Sequence, residues 1–402
     1  MSFGALALIC LAGIAGPLLA VPRRWGLPIV VGELLVGILL GPMGTGNLHS
    51  AEPTFAFLAN IGFALVMFVA GSHVPIGDDR LWRATGVGLL RALLVAAVSV
   101  PVGLLVARVF GTGHGLLYVV LLASSSAALV LPIIDSLRLE GPSILQLLPQ
   151  VAVADAACIV ALPLVIDPTR AGRAALGGAA VIASAAVLFL LLRITERRGW
   201  RKKVHQLSER RKFALELRVN LAILFGLAAI AETTHVSIML AGFAFGLVVA
   251  AIGEPRRLAR QLFAVTEGFF GPLFFIWLGT SLDLHALSAR PALIGLGVVL
   301  GLGAALTHLV TRPTRQPASL GALAAAQLGV PVAAATVGTQ LHLLEDGEPA
   351  ALILGALVTI AVASVAASVA ARHLAAPIAP PAAPPAGPQV GTALTPDRPE
   401  PA

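Results

Sequence analysis

Apolar runs of about 20 residues, one after another and almost free of charge, fill most of this 402-residue chain. A run of that length is what one helical crossing of a bilayer needs. Within hydrocarbon only a helix or a closed barrel can satisfy its own backbone polar groups. Roughly thirteen runs can be placed, near 3–20, 28–45, 54–71, 84–109, 115–137, 143–166, 172–193, 214–233, 236–252, 259–283, 291–311, 318–341 and 349–373. Only 12% of the residues are charged, against about 25% in soluble domains. The chain therefore reads as an all-α polytopic membrane protein. Its 41 glycines and 28 prolines fit packed and interrupted membrane helices.

The loops predict the orientation. With the N-terminus outside, loops 21–27, 74–83, 138–142, 194–213, 253–258 and 312–317 face the cytoplasm. Together with their flanks and the C-terminal tail they collect 21 of the 27 Lys and Arg residues. The outside loop near 345–348 is acidic, with Glu345, Asp346 and Glu348. This positive-inside pattern requires an odd number of spans, and it predicts a multi-pass plasma-membrane protein with its C-terminus in the cytoplasm. It also accounts for the net charge of +7 without nucleic acid as a partner. The first run is followed, not preceded, by its basic residues, so it reads as a span and not as a cleaved signal peptide. Segment 193–212 holds all three lysines and reads as a linker facing anionic membrane lipid between two halves. From residue 376 to 402 a Pro/Ala-rich tail with nine prolines has the composition of a disordered segment. Residues 1–375 are then one membrane domain.

An internal repeat organises that domain. GELLVGILLGP (32–42) is answered by AGFAFGLVVA (241–250), MFVAGSHV (67–74) by FIWLGTSL (275–282), and ASSSAALVLP (123–132) by AAQLGVPVAAA (325–335). The offsets are 209 from Gly37 to Gly246, 208 from Gly71 to Gly279 and 204 from Ser125 to Gly329. Such a shift spans seven helices, an odd number, so the two copies, about 28–166 and 236–373, run in opposite directions. Inverted repeats with paired broken helices mark a midplane site in secondary transporters.

One carboxylate lies in the middle of the apolar run 143–166: Asp155. A charge at that depth costs roughly 2.5–3.5 kcal/mol or more. It can be neutralised by a proton or by a cation, which compete for the same oxygens. Coupled to alternating access, that competition is proton/cation exchange. Further oxygens for the cation would come from the hydroxyls of Ser124, Ser125 and Ser126, and from carbonyls freed at the two breaks, around Ser125–Ser126 and around Gly329–Pro331. Ala154 and Gln327 are the neighbours that could support the site. Asp155 would then hold the monovalent cation transiently. Glu33 and Glu267 read as interfacial or packing groups, Arg91 and Arg218 as snorkelling or locally paired, His308 as structural, and Cys158 as a small buried hydrophobe.

Taken together, GELLVGILLGP, SSAALVLPII, AGFAFGL, GPLFFIWLGTSLDL and the lone Asp155 resemble the monovalent cation:proton antiporter-2 family, with its NapA-type and Kef-type transporters of the NhaA fold. The likeness covers about residues 3–373. It implies a homodimer of thirteen-helix protomers, each with a dimerisation domain and a moving core, and crossed, broken fifth and twelfth spans. By position Asp155 matches the family's ion- and proton-carrying aspartate, and Ser125 and Ser126 match its Thr-Ser pair. Three departures stand out. Ala154 replaces the Asp or Asn that commonly precedes the aspartate. No Lys or Arg occurs in 291–311, where electrogenic members carry a Lys. The Arg-Gly-Glu of Kef-like twelfth spans is absent, with Leu328, Gly329 and Val330 in its region.

Acid and base of that pair are missing together, which avoids an uncompensated buried charge costing roughly 3–5 kcal/mol. The expectation is a secondary-active Na+ or K+/proton antiporter, electroneutral, with proton and cation sharing Asp155. The alternatives are a non-transporting membrane sensor or scaffold of the same fold, and a sodium-coupled solute symporter. No enzyme motif occurs: there is no HExxH, no GxGxxG leading a helix and no P-loop. No cofactor is expected.

Overall fold

The computed structural model describes residues 1–20, 29–72, 79–197, 215–234, 236–253, 262–282 and 284–374. Most of the basic segment 193–212 and the whole tail 376–402 lie outside the described residues. The described chain is helical and has no β-strand, as its apolar runs demand. Among the described residues nine helices are long and apolar enough to cross a membrane, and three apolar ones are shorter. A further helix, Leu215–Thr233, is set apart by its three charged residues.

The N-terminal half runs through α1 (Phe3–Gly13), α2 (Ala15–Ala20), α3 (Ile29–Leu40), α4 (Pro53–Ser72) and α5 (Asp79–Phe110). It continues with α6 (Gly115–Ala123), α7 (Ala127–Ser136), α8 (Pro142–Ile166) and α9 (Ala171–Arg197). After the undescribed linker come α10 (Leu215–Thr233), α11 (Ile238–Ile252), α12 (Gly271–Ser281), α13 (Leu284–Ala289) and α14 (Pro291–His308). The chain closes on α15 (Ala318–Ala324), α16 (Gly329–Gln340) and α17 (Glu348–Leu374). The pairs α6/α7 and α15/α16 are each one crossing interrupted in the middle.

The repeat appears in the packing as an exchange of partners. α3 packs on α12, and α4 on α11. A Cβ added at Gly37 would stand 2.3 Å from the Ile276 carbonyl oxygen, and one at Gly279 would stand 2.3 Å from that of Leu34. One at Gly71 would stand 2.3 Å from the Phe243 oxygen, and one at Gly246 would stand 2.3 Å from that of Phe68. Shifting each member of the first pair of contacts by 208 or 209 residues produces the second. Backbone touches backbone at both crossings, which only glycine permits, and close van der Waals packing of this kind holds membrane helices together.

Beside this waist, α5 to α8 and α14 to α17 form a second group. α8 packs on α5 and α6, and α17 on α14, α15 and α16. The two interrupted crossings sit inside that group.

A candidate ion site between two interrupted helices

The first break covers Ser124–Ser126, where the backbone turns extended at Ser124 (φ −74°, ψ 152°) and Ser126 (φ −133°, ψ 107°). Opening a helix mid-membrane leaves N–H groups at the start of α7 and carbonyls at the end of α6 without partners. The sequence supplies those partners from its own few polar residues. Asp155, 4% exposed on α8, accepts the Ala127 N–H on Oδ2 at 2.8 Å. A carboxylate from one helix thus caps the N-terminus of another, where the helix dipole favours negative charge. The Ser126 side chain makes no capping bond of its own.

The second break, 325–328, lies against the first. Ser125 Oγ donates to the Ala324 carbonyl at 2.6 Å, and so satisfies an orphan acceptor at the end of α15. Ser124 Oγ lies 2.8 Å from Gln327 Oε1 and 3.0 Å from the Leu121 carbonyl. The Gln327 N–H donates to Thr359 Oγ1 of α17 at 3.2 Å. From α14, Thr307 Oγ1 reaches the Leu122 carbonyl at 3.3 Å, and His308 Nε2 stands 3.5 Å from Ser125 Oγ. The other ring nitrogen of His308, Nδ1, is bound to the Ala304 carbonyl at 2.8 Å, the acceptor that fixes a proton there. All of these side chains are buried.

The structure therefore brings Asp155 to the first break and brings Ser124, Ser125 and Gln327 to the second. Ala154 is buried beside Asp155 on α8. Gly329 and Pro331 form the first turn of α16, which packs on α8 as an element. Neither has a hydrogen bond to Asp155 among the described residues. Pro331 has no N–H, so this turn presents one orphan donor fewer. Thr307 and Thr359 were missed by sequence reasoning. Their only signal was a hydroxyl inside an apolar run, and such hydroxyls usually bond back into their own helix. His308 is buried between the breaks, in the position of a packing and hydrogen-bonding group. The described residues hold no cluster of three or more His, Cys, Asp or Glu fit to bind a metal. Cys158 is buried and free.

Along the C-terminal part of α8 a cavity of about 220 Å³ opens, lined by Leu162, Pro163, Asp167, Arg170, Arg173 and Thr234 among others. Its nearest lining residue on α8, Leu162, lies about 10 Å along the helix from Asp155, at 1.5 Å per residue. It is therefore not the ion site itself.

With this geometry established, the family model described as "Sodium/hydrogen exchanger, transmembrane" matches residues 6–372. The chain belongs to the sodium/hydrogen exchanger family. Among its relatives, the Bacillus subtilis protein YjbQ is 22% identical over 379 residues, 89% of this chain and 61% of that protein. The Na(+)/H(+) antiporter of Enterococcus hirae is 25% identical, over 76% of this chain and 79% of its own length. The glutathione-regulated potassium-efflux system protein KefC of Salmonella newport is 28% identical, over 76% of this chain and 50% of that protein. The chain thus spans about three fifths of the first of these relatives and half of the last. Among solved structures, the sodium proton antiporter MjNhaP1 of Methanocaldococcus jannaschii superimposes with TM-score 0.66, at 16% identity, over 93% of this chain and 99% of that one. That likeness establishes the fold: this member of the family is a multi-pass helical membrane protein.

Proposed function

We propose that this exchanger is a secondary-active monovalent cation/proton antiporter in which a proton and Na+ or K+ compete for Asp155. The observation that carries the reading is the buried Asp155 carboxylate seated on the Ala127 N–H at the start of a half-helix. That contact lets the ionised form exist at all. It leaves the carboxylate the capacity to bind a proton or a cation.

Coupling follows from charge. Protonated Asp155 is neutral, and so is ionised Asp155 with a monovalent cation. Unoccupied, ionised Asp155 is a bare buried charge, expensive to move through hydrocarbon. Only the two loaded forms then cross between the faces, and the exchange is one proton for one cation, without net charge. Cation oxygens come from Asp155, from the hydroxyl of Ser126 and from carbonyls at the breaks. Ser124, Ser125 and Gln327 hold the two breaks in register, with Gly329 and Pro331 shaping the second. Ala154 leaves Asp155 as the site's one acid, and the span 291–311 has no Lys or Arg to pair with another.

The same reading divides residues 1–375 into inverted repeats, about 28–166 and 236–373, and leaves 376–402 as a tail. It sets the N-terminus outside the plasma membrane and the C-terminus in the cytoplasm, on the distribution of basic loops. A homodimer in lipid follows from the family likeness. The cavity at Asp167 and Arg170 would belong to the outer face.

The test is dequenching of acridine orange in inverted vesicles after addition of Na+, K+ or Li+. Wild type responds to at least one cation and Asp155→Asn to none. A wild type silent to all three supports the sensor or scaffold reading instead.

A further inference from the structure

The cavity along α8 begins in apolar surroundings and ends among charges. Measured from Asp155 at 1.5 Å per residue, its lining starts about 10 Å along the helix at Leu162 and ends about 18 Å along at Asp167. Asp155 lies near the middle of α8, and half the hydrocarbon thickness of a bilayer is about 15 Å. The cavity therefore straddles the boundary between hydrocarbon and headgroups. Along α8 its lining changes at that depth, from Leu162, Pro163 and Ile166 to Asp167. The turn after α8 and the start of α9 add Arg170 and Arg173, the segment between α10 and α11 adds Thr234 and Ser237, and α16 adds Val337.

Most acceptors in this cavity are already engaged, while several donors are not. Asp167 Oδ1 accepts from the Thr169 N–H at 3.1 Å and from its hydroxyl at 2.5 Å, and Oδ2 lies 3.5 Å from Arg170 Nε. The Thr234 hydroxyl donates to the Ile230 carbonyl at 2.7 Å. Ser237 Oγ accepts from the Met239 N–H at 3.3 Å, and its own O–H has no acceptor among the described residues. Arg173 forms no ion pair among the described residues. Two guanidinium groups thus stand against one carboxylate, with the terminal nitrogens of Arg170, the whole fork of Arg173 and the Ser237 O–H left to donate.

Such a cavity suits a molecule with an anionic, oxygen-rich end and an apolar end. A guanidinium fork matches the geometry of phosphate oxygens, and basic pockets between membrane helices hold anionic headgroups. We propose that this cavity binds the headgroup of an anionic phospholipid, with its phosphodiester oxygens on Arg170, Arg173 and Ser237 and the start of its acyl chains along Leu162 and Pro163. The lipid touches α8, which carries Asp155, α16 of the second interrupted crossing, and the waist helix α11. It therefore favours the arrangement of those helices that forms the cavity.

The test is thermal unfolding of the delipidated full-length protein in detergent, at one pH and one ionic strength, in choline chloride, which keeps cation binding at Asp155 out of the comparison. Dioleoyl phosphatidylglycerol should raise the midpoint saturably, by about 3 °C more than dioleoyl phosphatidylcholine. Free glycerol 3-phosphate should leave it unchanged. Arg170→Gln with Arg173→Gln should abolish the difference between the two lipids, whereas Arg108→Gln, an exposed arginine in the last turn of α5, should keep it. If the double variant does not fold, Arg173→Gln alone should raise the phosphatidylglycerol concentration for half-effect about tenfold. Equal shifts with both lipids overturn the requirement for an anion. An equal shift with glycerol 3-phosphate overturns the lipid in favour of a free phosphate. An undiminished response in the Arg170 and Arg173 variants, or the same loss in Arg108→Gln, overturns the site.

Discussion

An aspartate in the apolar middle of α8 meets a backbone N–H, with no basic side chain forming an ion pair to it among the described residues. A fixed cation beside it would hold the carboxylate ionised and would compete with a transported cation. A peptide dipole is weaker and keeps the site responsive to both ligands. The neighbouring hydroxyls act differently. Ser124 and Gln327 are buried against each other across the breaks, so removing the serine takes the hydroxyl donor from Gln327 Oε1. Ser124→Ala should cost about 1–3 kcal/mol, seen as a lower unfolding midpoint. A loss no larger than that of an exposed serine would contradict the pairing. Asp155 was legible in the sequence because a lone charge in a long apolar run is conspicuous. Its partner was not, because which N–H it meets depends on how two helices, 28 residues apart in the chain, approach in space.

Between helices, glycine crossings and one pair at the helix ends make the argument. Gly71 and Gly246 meet across α4 and α11, and each would clash with a backbone oxygen at 2.3 Å if given a Cβ. Gly71→Ala should destabilise by about 1–3 kcal/mol through overpacking. Gly246→Ala should lose a similar amount, and the double variant less than the sum, because both relieve one contact. Fully additive losses in thermal unfolding would count against the shared crossing. The 209-residue offset revealed that Gly37 and Gly246 are equivalent. It could not reveal that Gly37 touches Gly279, since equivalence in sequence says nothing of who packs on whom.

At the other end of the interrupted pair, Glu348 at the start of α17 accepts from Tyr118 at 2.7 Å and lies 2.8 Å from His114 Nδ1. The hydrogen bond to Glu348 holds the His114 imidazole above its ordinary range, against the opposing effect of burial. Glu345 raises it further and is itself paired with Arg290 at 3.2 Å. A histidine raised in the folded state contributes stability that is fully present below about 6.5 and is lost as pH rises through its higher folded value. The midpoint difference between wild type and His114→Gln should therefore shrink between pH 6.5 and 9. A constant difference would assign the pair no protonic role. Sequence reading saw only an acidic outer loop here, because His114 and Glu348 are 234 residues apart.

The whole molecule is a waist of crossing glycine helices beside a group that carries both interruptions and Asp155. The runs were enough to read an all-α polytopic membrane protein, since bilayer thickness acts on sequence directly. The enclosure of Arg91 escaped that reading, because snorkelling is the usual fate of an arginine near a span end and only the fold shows it buried against Thr314 and Gln146. At this scale the central claim is that one carboxylate serves both ions. If so, protons act as simple competitors of the cation. In proteoliposomes with the potential clamped, the apparent KM for the transported cation should rise about tenfold for each unit of acidification in the acidic range, with the maximal rate unchanged. A KM indifferent to pH, with a maximal rate that falls instead, would contradict a shared site at Asp155.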